Sequence, residues 1–239
     1  MNAPAPNPPL SVVVLAYDEE ANIGPVLEEL FGWLDAHIPA SEVLVVDDGS
    51  SDATAGVARR ALEGRNGRLL RHEANRGMGA GLKTGVRAAR AAWVTFLPAD
   101  GQIEPRSLGT LWAARDGVDL VLSVYEDRDD GPARKVLSWG VRALITAVHG
   151  VRLRSDGPYL FRRALFEPAQ LEAESFFLNF EFPIRALAAG LHVRTVPIRC
   201  RPRRSGSSKT ARPGRIVGVA RELLQLRQRR IRDALTRAR

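Results

Sequence analysis

The stretch Val43-Leu44-Val45-Val46-Asp47-Asp48-Gly49-Ser50-Ser51-Asp52 sets the reading of the whole chain. A short β-branched run closed by Asp, Gly and Ser reads as a buried strand ending in a turn. A second such run, Trp93-Val94-Thr95-Phe96-Leu97, passes into Pro98-Ala99-Asp100-Gly101-Gln102. In an open α/β sheet, ligands bind at the carboxyl ends of the strands. That edge would carry Asp48, Asp100 and Gln102, all oxygen donors. Hard oxygen ligands suit Mg2+ or Mn2+, which bind through one or two carboxylates together with substrate phosphates. A nucleotide diphosphate held through a metal is the first expectation.

Strand-like and helix-like segments alternate around these runs. Ser11 to Leu15 reads as a buried strand. Ile23, Val26, Leu27, Leu30 and Leu34 recur at helical spacing, with Asn22 as N-cap and Pro25 in the first turn. A helix over Thr54–Leu62, a short strand at Leu69-Leu70 and a helix over Ala80–Ala91 complete the first half. This alternation predicts parallel βα units and a doubly wound α/β sheet. The second half is less regular: a strand over Asp119–Val124, an amphipathic helix over Ala133–Val148, and an ambiguous stretch from Leu160 to Phe166. A helix over Phe180–Ala189 stops at Gly190, before a strand over Val193–Ile198. Arg201 to Arg215 reads as a mobile loop and Ile216 to Leu235 as a final helix. The expected division is a flexible leader over 1–9, one domain over 10–215 and a basic amphipathic helix over 216–239.

The chain has 239 residues, 45% hydrophobic and 26% charged, which is ordinary globular usage and excludes global disorder. Cys200 is the only cysteine, so no disulfide forms within the chain. Met1 to Pro9 lacks the basic and apolar regions of a signal peptide. No apolar run approaches the ~18 residues of a membrane span; the lone cysteine fits a cytoplasmic setting, which is the expectation. The net charge of +8 is concentrated between Arg199 and Arg239, which suggests a polyanionic partner or surface.

Each motif has a plainer reading. Asp52 or Ser51 would cap the helix that follows; Asp48, an acceptor with no donor of its own, could take hydrogen bonds from base N–H groups. Asp100 and Gln102 would share one side of an extended segment, or belong to a surface turn. Asn75-Arg76-Gly77-Met78-Gly79-Ala80-Gly81 opens a helix, where N–H groups at Gly77 and Gly79 could meet phosphate or the glycines could allow close packing. The first strand leads to Ala16-Tyr17-Asp18-Glu19-Glu20, so the chain lacks a dinucleotide fingerprint and a nicotinamide dehydrogenase is disfavoured.

Val12 to Ile23, Val43 to Thr54, the Asn75 loop and the Asp100 segment stand in the order used by family 2 glycosyltransferases, and the chain resembles that family from Ser11 to about Leu226. Its dolichol- and polyprenol-phosphate sugar synthases are the nearest branch in pattern. They share Arg134 with Ser138, Asp156-Gly157 before Phe161-Arg162-Arg163, Glu181, Val196-Pro197-Ile198, and Arg203 ahead of Gly206-Ser207-Ser208-Lys209. The resemblance implies a single GT-A-type domain, Rossmann-like, with a mostly parallel twisted sheet and helices on both faces. It implies a pocket for base and ribose at Ala16, Tyr17 and Glu19, with Asp48 on the base. Asp100 and Gln102 would hold Mg2+ or Mn2+ on the donor diphosphate. Arg134 and Ser138, one helical turn apart, would receive the acceptor phosphate. Arg203 and Lys209 would close over the donor.

The chain departs from the pattern at several places. Leu15 replaces the family's proline and Asp18 its asparagine. Pro98-Ala99-Asp100 stands where two aspartates usually flank one residue. Leu122-Ser123-Val124 replaces the Gly-Ser-Arg that helps bind the acceptor phosphate, with Arg128 as a substitute. The resulting expectation is an inverting, metal-dependent transfer from a GDP- or UDP-sugar to a polyprenyl phosphate, peripheral to the inner membrane face. A family 2 enzyme acting on a hydroxyl of a soluble or cell-envelope acceptor is the alternative, with Asp156 taking the proton. A sugar-phosphate nucleotidyltransferase is disfavoured because the segment after the first strand is acidic. Nucleic acid is not an expected partner, since the basic tail offers no aromatic stacking platform. The apolar side of that tail, with Ile216, Val217, Ala220, Leu224, Ile231 and Leu235, would pack on its own domain, on a second copy in a homodimer, or on anionic lipid.

Overall fold

Every residue of the Glu42–Asp47 strand is buried, and its side chains divide between two cores. Leu44 and Val46 join Val13, Phe96, Leu82 and Val86. Val43 and Val45 join Val12, Val14, Ile23 and Leu27. A strand apolar on both faces needs a helical layer on each side. The computed structural model describes residues 8–126, 132–167, 170–202 and 221–229, with side chains described except at 132–138.

The elements are β1 (Leu10–Ala16), α1 (Glu20–His37), β2 (Glu42–Asp47), α2 (Thr54–Ala61), β3 (Gly67–Arg71), α3 (Met78–Ala88) and β4 (Trp93–Pro98). Then come α4 (Arg106–Ala113), β5 (Leu120–Tyr125), α5 (Pro132–His149), β6 (Leu160–Arg162), α6 (Leu178–Ala188) and β7 (Val193–Ile198). A helix over 221–229, α7, follows. The seven strands form one sheet in the order β3-β2-β1-β4-β6-β5-β7. Only β6 runs antiparallel, to β4 and β5. Helices α1, α2 and α4 supply one core and α3, α5, α6 and α7 the other. The expected mostly parallel, doubly wound sheet is observed.

The sequence reading differs from the structure at particular points. Asn22 lies inside α1 rather than at its cap, and its Nδ2 donates to Glu19 Oε2 at 2.6 Å. Helix α4 was not anticipated; Gly109 inside it and Pro105 before it mask the periodicity of Leu108 and Leu111, both buried. The stretch from Leu160 resolves into three residues of strand and a single 3-10 turn over Arg163–Leu165. In α7, Leu223 and Leu226 are buried with Ile145, Phe177 and Phe182, and His149 Nε2 lies 3.1 Å from Leu223 O. This described part packs on its own domain, while Leu224 of the expected stripe is 53% exposed. The rest of that stripe lies outside the described residues. Among the described residues no helix is long and apolar enough to cross a membrane.

At the amino end of β2, Glu42 is buried and accepts from Ser11 Oγ at 2.6 Å, Arg90 N at 2.6 Å and Arg90 Nε at 2.9 Å. Burial alone would raise its pKa; the bonds from Ser11 and Arg90 and the charge of Arg90 outweigh that and hold the carboxyl below its ordinary 4.5. Ionised Glu42 therefore stabilises the fold above the ordinary carboxylate range, and the contribution fades as pH falls through the lowered folded-state value. Glu42→Gln is expected to cost about 1–3 kcal/mol near neutral pH. Urea unfolding at decreasing pH should show the gap to wild type narrowing below 4.5.

Tyr159 is fully buried, and its phenol oxygen has no hydrogen-bond partner among the described residues. Burial, with Glu181 adding, pushes the phenol well above its usual range. Tyr159→Phe removes an unsatisfied polar atom and keeps the ring, so stability should rise by about 1 kcal/mol. Chemical denaturation of the two proteins checks this.

Candidate active site

Parallel pairing brings the carboxyl ends of β1, β2 and β4 to one level: Ala16 faces Asp47, and Leu15 faces Pro98. The ladder continues one residue into the loops, with Asp48 N donating to Ala16 O and Ala99 N to Leu15 O, each at 2.9 Å. The carboxyl ends of β5 and β7 and the amino end of β6 share this edge.

The loops after β1 and β2 are laced together. Asp18 N donates to Ser50 Oγ at 2.9 Å, and Asp18 Oδ1 accepts from Ser51 N at 2.9 Å. Asp18 has a φ of 50°, a left-handed conformation that Asp and Asn tolerate best among side-chain-bearing residues. Asp52 accepts from Thr54 N at 2.9 Å and Glu20 N at 3.1 Å, so it serves the starts of both α2 and α1. Ala16 is buried and contributes backbone, whereas Tyr17 is 37% exposed at the strand end. Glu19 accepts from Asn22 and sends its own N–H to Thr54 Oγ1 at 2.8 Å.

Asp48 is buried and anchors the glycine-rich loop. Its Oδ1 lies 2.7 Å from His72 Nδ1 and accepts from Arg76 N at 2.9 Å; its Oδ2 accepts from Gly77 N at 2.8 Å. His72 Nε2 in turn lies 2.9 Å from Thr84 Oγ1. A carboxylate offers about four acceptor directions, so protein groups fill most of them and leave little for a base.

The same geometry bears on the two readings of Gly77 and Gly79, phosphate cradle and close packing. The N–H groups of Arg76 and Gly77 go to Asp48, and Ala80 N donates to Glu174 O at 3.0 Å. A Cβ at Gly79 would lie 2.6 Å from Ser175 O, and one at Gly77 would lie 2.7 Å from Glu174 O. These glycines allow segment 173–175 to pack against the head of α3. The cavity beside them, about 530 Å³, is walled by Glu172, Glu174, Glu181 and Glu222 with Arg76 and Arg229. Among the described residues of its wall, carboxylates outnumber guanidiniums, which disfavours a diphosphate.

Asp100 and Gln102 do not lie on an extended segment. A turn with Gly101 at φ 72° brings Gln102 N to Asp100 Oδ1 at 3.0 Å, and Asp100 is buried. Arg201 holds this turn in place. Its N–H donates to Gln102 O at 2.9 Å and its Nε to Gly101 O at 2.6 Å. Its two terminal nitrogens grip Glu29 of α1 at 3.0 and 2.6 Å. Those bonds to Glu29 raise the Arg201 pKa further. Sequence reasoning assigned Arg201 to a mobile loop; only the chain reversal that pairs Ile103 with Cys200 reveals its position. One carboxylate and one amide carbonyl fit a hard cation whose other ligands are diphosphate oxygens and water. Among the described residues no group of three or more His, Cys, Asp or Glu is placed to hold a metal by itself.

Asp156 stands at the same edge, its N–H donating to Ser123 O at 2.9 Å and its Oδ1 3.7 Å from Arg142 Nη1. Glu181 is buried and accepts from Ala173 N at 2.9 Å and Arg185 Nε at 3.0 Å, a structural role. Positions 134 and 138 fall one turn apart on α5, but the Arg134 and Ser138 side chains lie outside those described. Arg128, Arg203 and Lys209 also lie outside the described residues.

The fold is that of the GT-A glycosyltransferases. The crystal structure of glucosyl-3-phosphoglycerate synthase from Mycobacterium tuberculosis, in complex with Mn2+, UDP and glucosyl-3-phosphoglycerate, superposes with a TM-score of 0.69. It is 22% identical, and the match covers 92% of this chain and 78% of that one. The chain belongs to glycosyl transferase family 2, whose pattern matches residues 11–182. Dodecaprenyl-phosphate galacturonate synthase of Rhizobium johnstonii is 30% identical over 181 residues, 72% of this chain and 53% of that protein. A dolichyl-phosphate beta-glucosyltransferase of Trichomonas vaginalis is 32% identical over 171 residues, 64% of this chain and 53% of that protein. The chain thus spans about half the length of these relatives.

Arg201→Ala removes the bonds to Glu29 and Gly101 and should lower stability by about 2 kcal/mol. Amide hydrogen exchange at Gln102 should accelerate more than exchange in β2. Urea unfolding and exchange mass spectrometry measure the two effects.

Proposed function

We infer that this chain is the catalytic domain of an inverting, metal-dependent glycosyltransferase that moves a sugar from a nucleotide diphosphate to a polyprenyl phosphate. The observation that carries this reading is the convergence of Tyr17, Asp48, Asp100, Gln102 and Asp156 on one sheet edge in a family 2 chain. The relatives named above for dodecaprenyl and dolichyl phosphate support the acceptor class.

In this reading the exposed Tyr17 and the Glu19 loop receive the base and ribose, with Asp48 shaping the pocket through the Gly77 loop. Asp100 and Gln102 would hold Mg2+ or Mn2+, which would supply Lewis-acid stabilisation of the departing diphosphate. Arg203 and Lys209 add positive charge over the donor, and Arg134 and Ser138 meet the acceptor. An acceptor phosphate oxygen forms the new bond to the anomeric carbon from the face opposite the nucleotide. The bond to the diphosphate breaks, and its electron pair leaves with the nucleoside diphosphate. No proton need move, because the acceptor is already ionised. The setting is the cytoplasmic face of a membrane, with peripheral attachment.

A hydroxyl acceptor is the second reading. It is favoured by Asp156, whose side chain is 39% exposed at the active edge and could take the hydroxyl proton.

A thermal-shift screen of UDP- and GDP-sugars with and without Mn2+ identifies the donor, since a ligand of the native state raises Tm. Transfer to radiolabelled product is then compared for polyprenyl phosphate and polyprenol. Asp100→Ala should reduce transfer at least ~100-fold and abolish the Mn2+-dependent part of the donor's Tm shift, while the unliganded protein still unfolds cooperatively. Unchanged Mn2+ dependence would remove Asp100 from the metal site.

A further inference from the structure

We propose that His72 is a positioning residue for donor binding. With Thr84 behind it, its imidazole fixes the Asp48 carboxylate and, through that carboxylate, the glycine-rich loop over 75–77. The proposal rests on the sugar-transfer reading above, in which this loop shapes the donor pocket. His72 is the first residue after β3, and its N–H donates to Asp47 O at 2.9 Å, one step beyond the pairing of β2 with β3. Its side chain is buried, as is that of Asp48. On one side Nδ1 lies 2.7 Å from Asp48 Oδ1; on the other Nε2 lies 2.9 Å from Thr84 Oγ1 of α3.

The chemistry of the three groups orders the protons. An ionised carboxylate only accepts, so Nδ1 carries a hydrogen and donates it to Asp48. In the neutral ring Nε2 is then an acceptor, and the Thr84 hydroxyl can donate to it. Thr84 thereby selects the tautomer that Asp48 needs, because the partner of one ring nitrogen decides the state of the other. A charged ring would keep the same hydrogen on Nδ1 and donate to Thr84 instead.

The other hydrogen bonds of Asp48 come from Arg76 N at 2.9 Å and Gly77 N at 2.8 Å. Both lie in the loop that the carboxylate has to hold. A carboxylate turns easily about its last torsion, so without His72 the carboxylate and the loop would order only together. His72 gives the carboxylate a contact on the scaffold that does not depend on the loop. The start of the loop is fixed separately, by close packing. Gly49 has a φ of 74°, and a Cβ there would lie 2.5 Å from Ala74 C and 2.7 Å from Asn75 N. Packing places residues 74 and 75; the Asp48 carboxylate orients 76 and 77. Where the binding-competent loop is only partly populated, apparent affinity falls by that fraction. A histidine that merely filled space would alter stability and leave the affinity of the folded protein unchanged.

The wild-type ring supplies the first test, without turnover. The intact chain, labelled with 15N-histidine, has four histidines, and His72 is assigned by its loss in His72→Asn. Nitrogen-detected spectra should show a hydrogen on Nδ1 of His72. A neutral ring with its hydrogen on Nε2 alone overturns the proposal.

UDP and GDP, each with Mn2+, are then titrated calorimetrically against wild type and variants. His72→Phe keeps a ring and loses both nitrogens, so Kd for the nucleotide that wild type binds should rise at least ~10-fold. In His72→Asn the side-chain amide can donate in place of Nδ1, so Kd should return to within ~3-fold of wild type although a smaller side chain packs worse. Thr84→Val should weaken binding ~3-fold and add nothing to His72→Phe. In transfer assays the loss should fall on kcat/KM rather than on kcat. Equal Kd in wild type and folded His72→Phe overturns the positioning role. If His72→Phe does not fold, Thr84→Val decides: unchanged Kd with unchanged amide exchange at Arg76 and Gly77 overturns it. A wild type that binds neither UDP nor GDP counts against the sugar-transfer reading alone. The ring tautomer, and exchange at Arg76 and Gly77 in Thr84→Val, then decide whether His72 positions the loop.

Discussion

The shared register of β2, β1 and β4 is the constraint on which the site depends. Because Ala16 lies beside Asp47 and Leu15 beside Pro98, three loops leave the sheet at one height. The hydrogen bonds from Asp48 N and Ala99 N extend that ladder past the strand ends. A slip of one residue would send Val43 and Val45 to the opposite core and carry Asp48 off the ligand edge. The apolar burial on both faces that defines the strands therefore also fixes where the functional loops begin.

Above that edge the loops are held by side chains that never need to touch a ligand. Asp48 ties the β2 end to the glycine-rich loop; Asp18 and Asp52 lace the first two loops; Arg201 ties the Asp100 turn to α1. Each joins segments far apart in sequence through charge-assisted bonds, which are stronger than neutral ones. Acidic residues that look alike in the sequence thus divide into two kinds. Asp52 and Glu181 are bound into the scaffold, whereas Asp156 is exposed at the sheet edge.

The parallel half of the sheet was legible because β1, β2 and β4 are apolar throughout and end in Asp, Gly or Pro. Periodicity over Ile23 to Leu34 marked α1, although the helix starts at Glu20 and Asn22 lies within it. Helix α4 was missed because its eight residues contain too few turns for the period to stand out. Strand β6 is three residues long and exists because it fills the gap between β4 and β5, a requirement of the sheet rather than of its own sequence. Gly77 and Gly79 read equally as a cradle or as close packing until the carbonyls of Glu174 and Ser175 were placed against them.

Local sequence alone determined the family order of motifs, the alternating elements and the presence of oxygen donors after β2 and β4, because each depends on neighbouring residues and on hydrophobic period. Tertiary structure decided what those donors meet. His72 and Gly77 lie 24 and 29 residues from Asp48, and Arg201 lies 172 residues from Glu29. His72 links Thr84 to Asp48 only because β3 pairs with β2 and α3 packs against β2. Such contacts are selected by packing the whole sheet, and no short-range pattern records them.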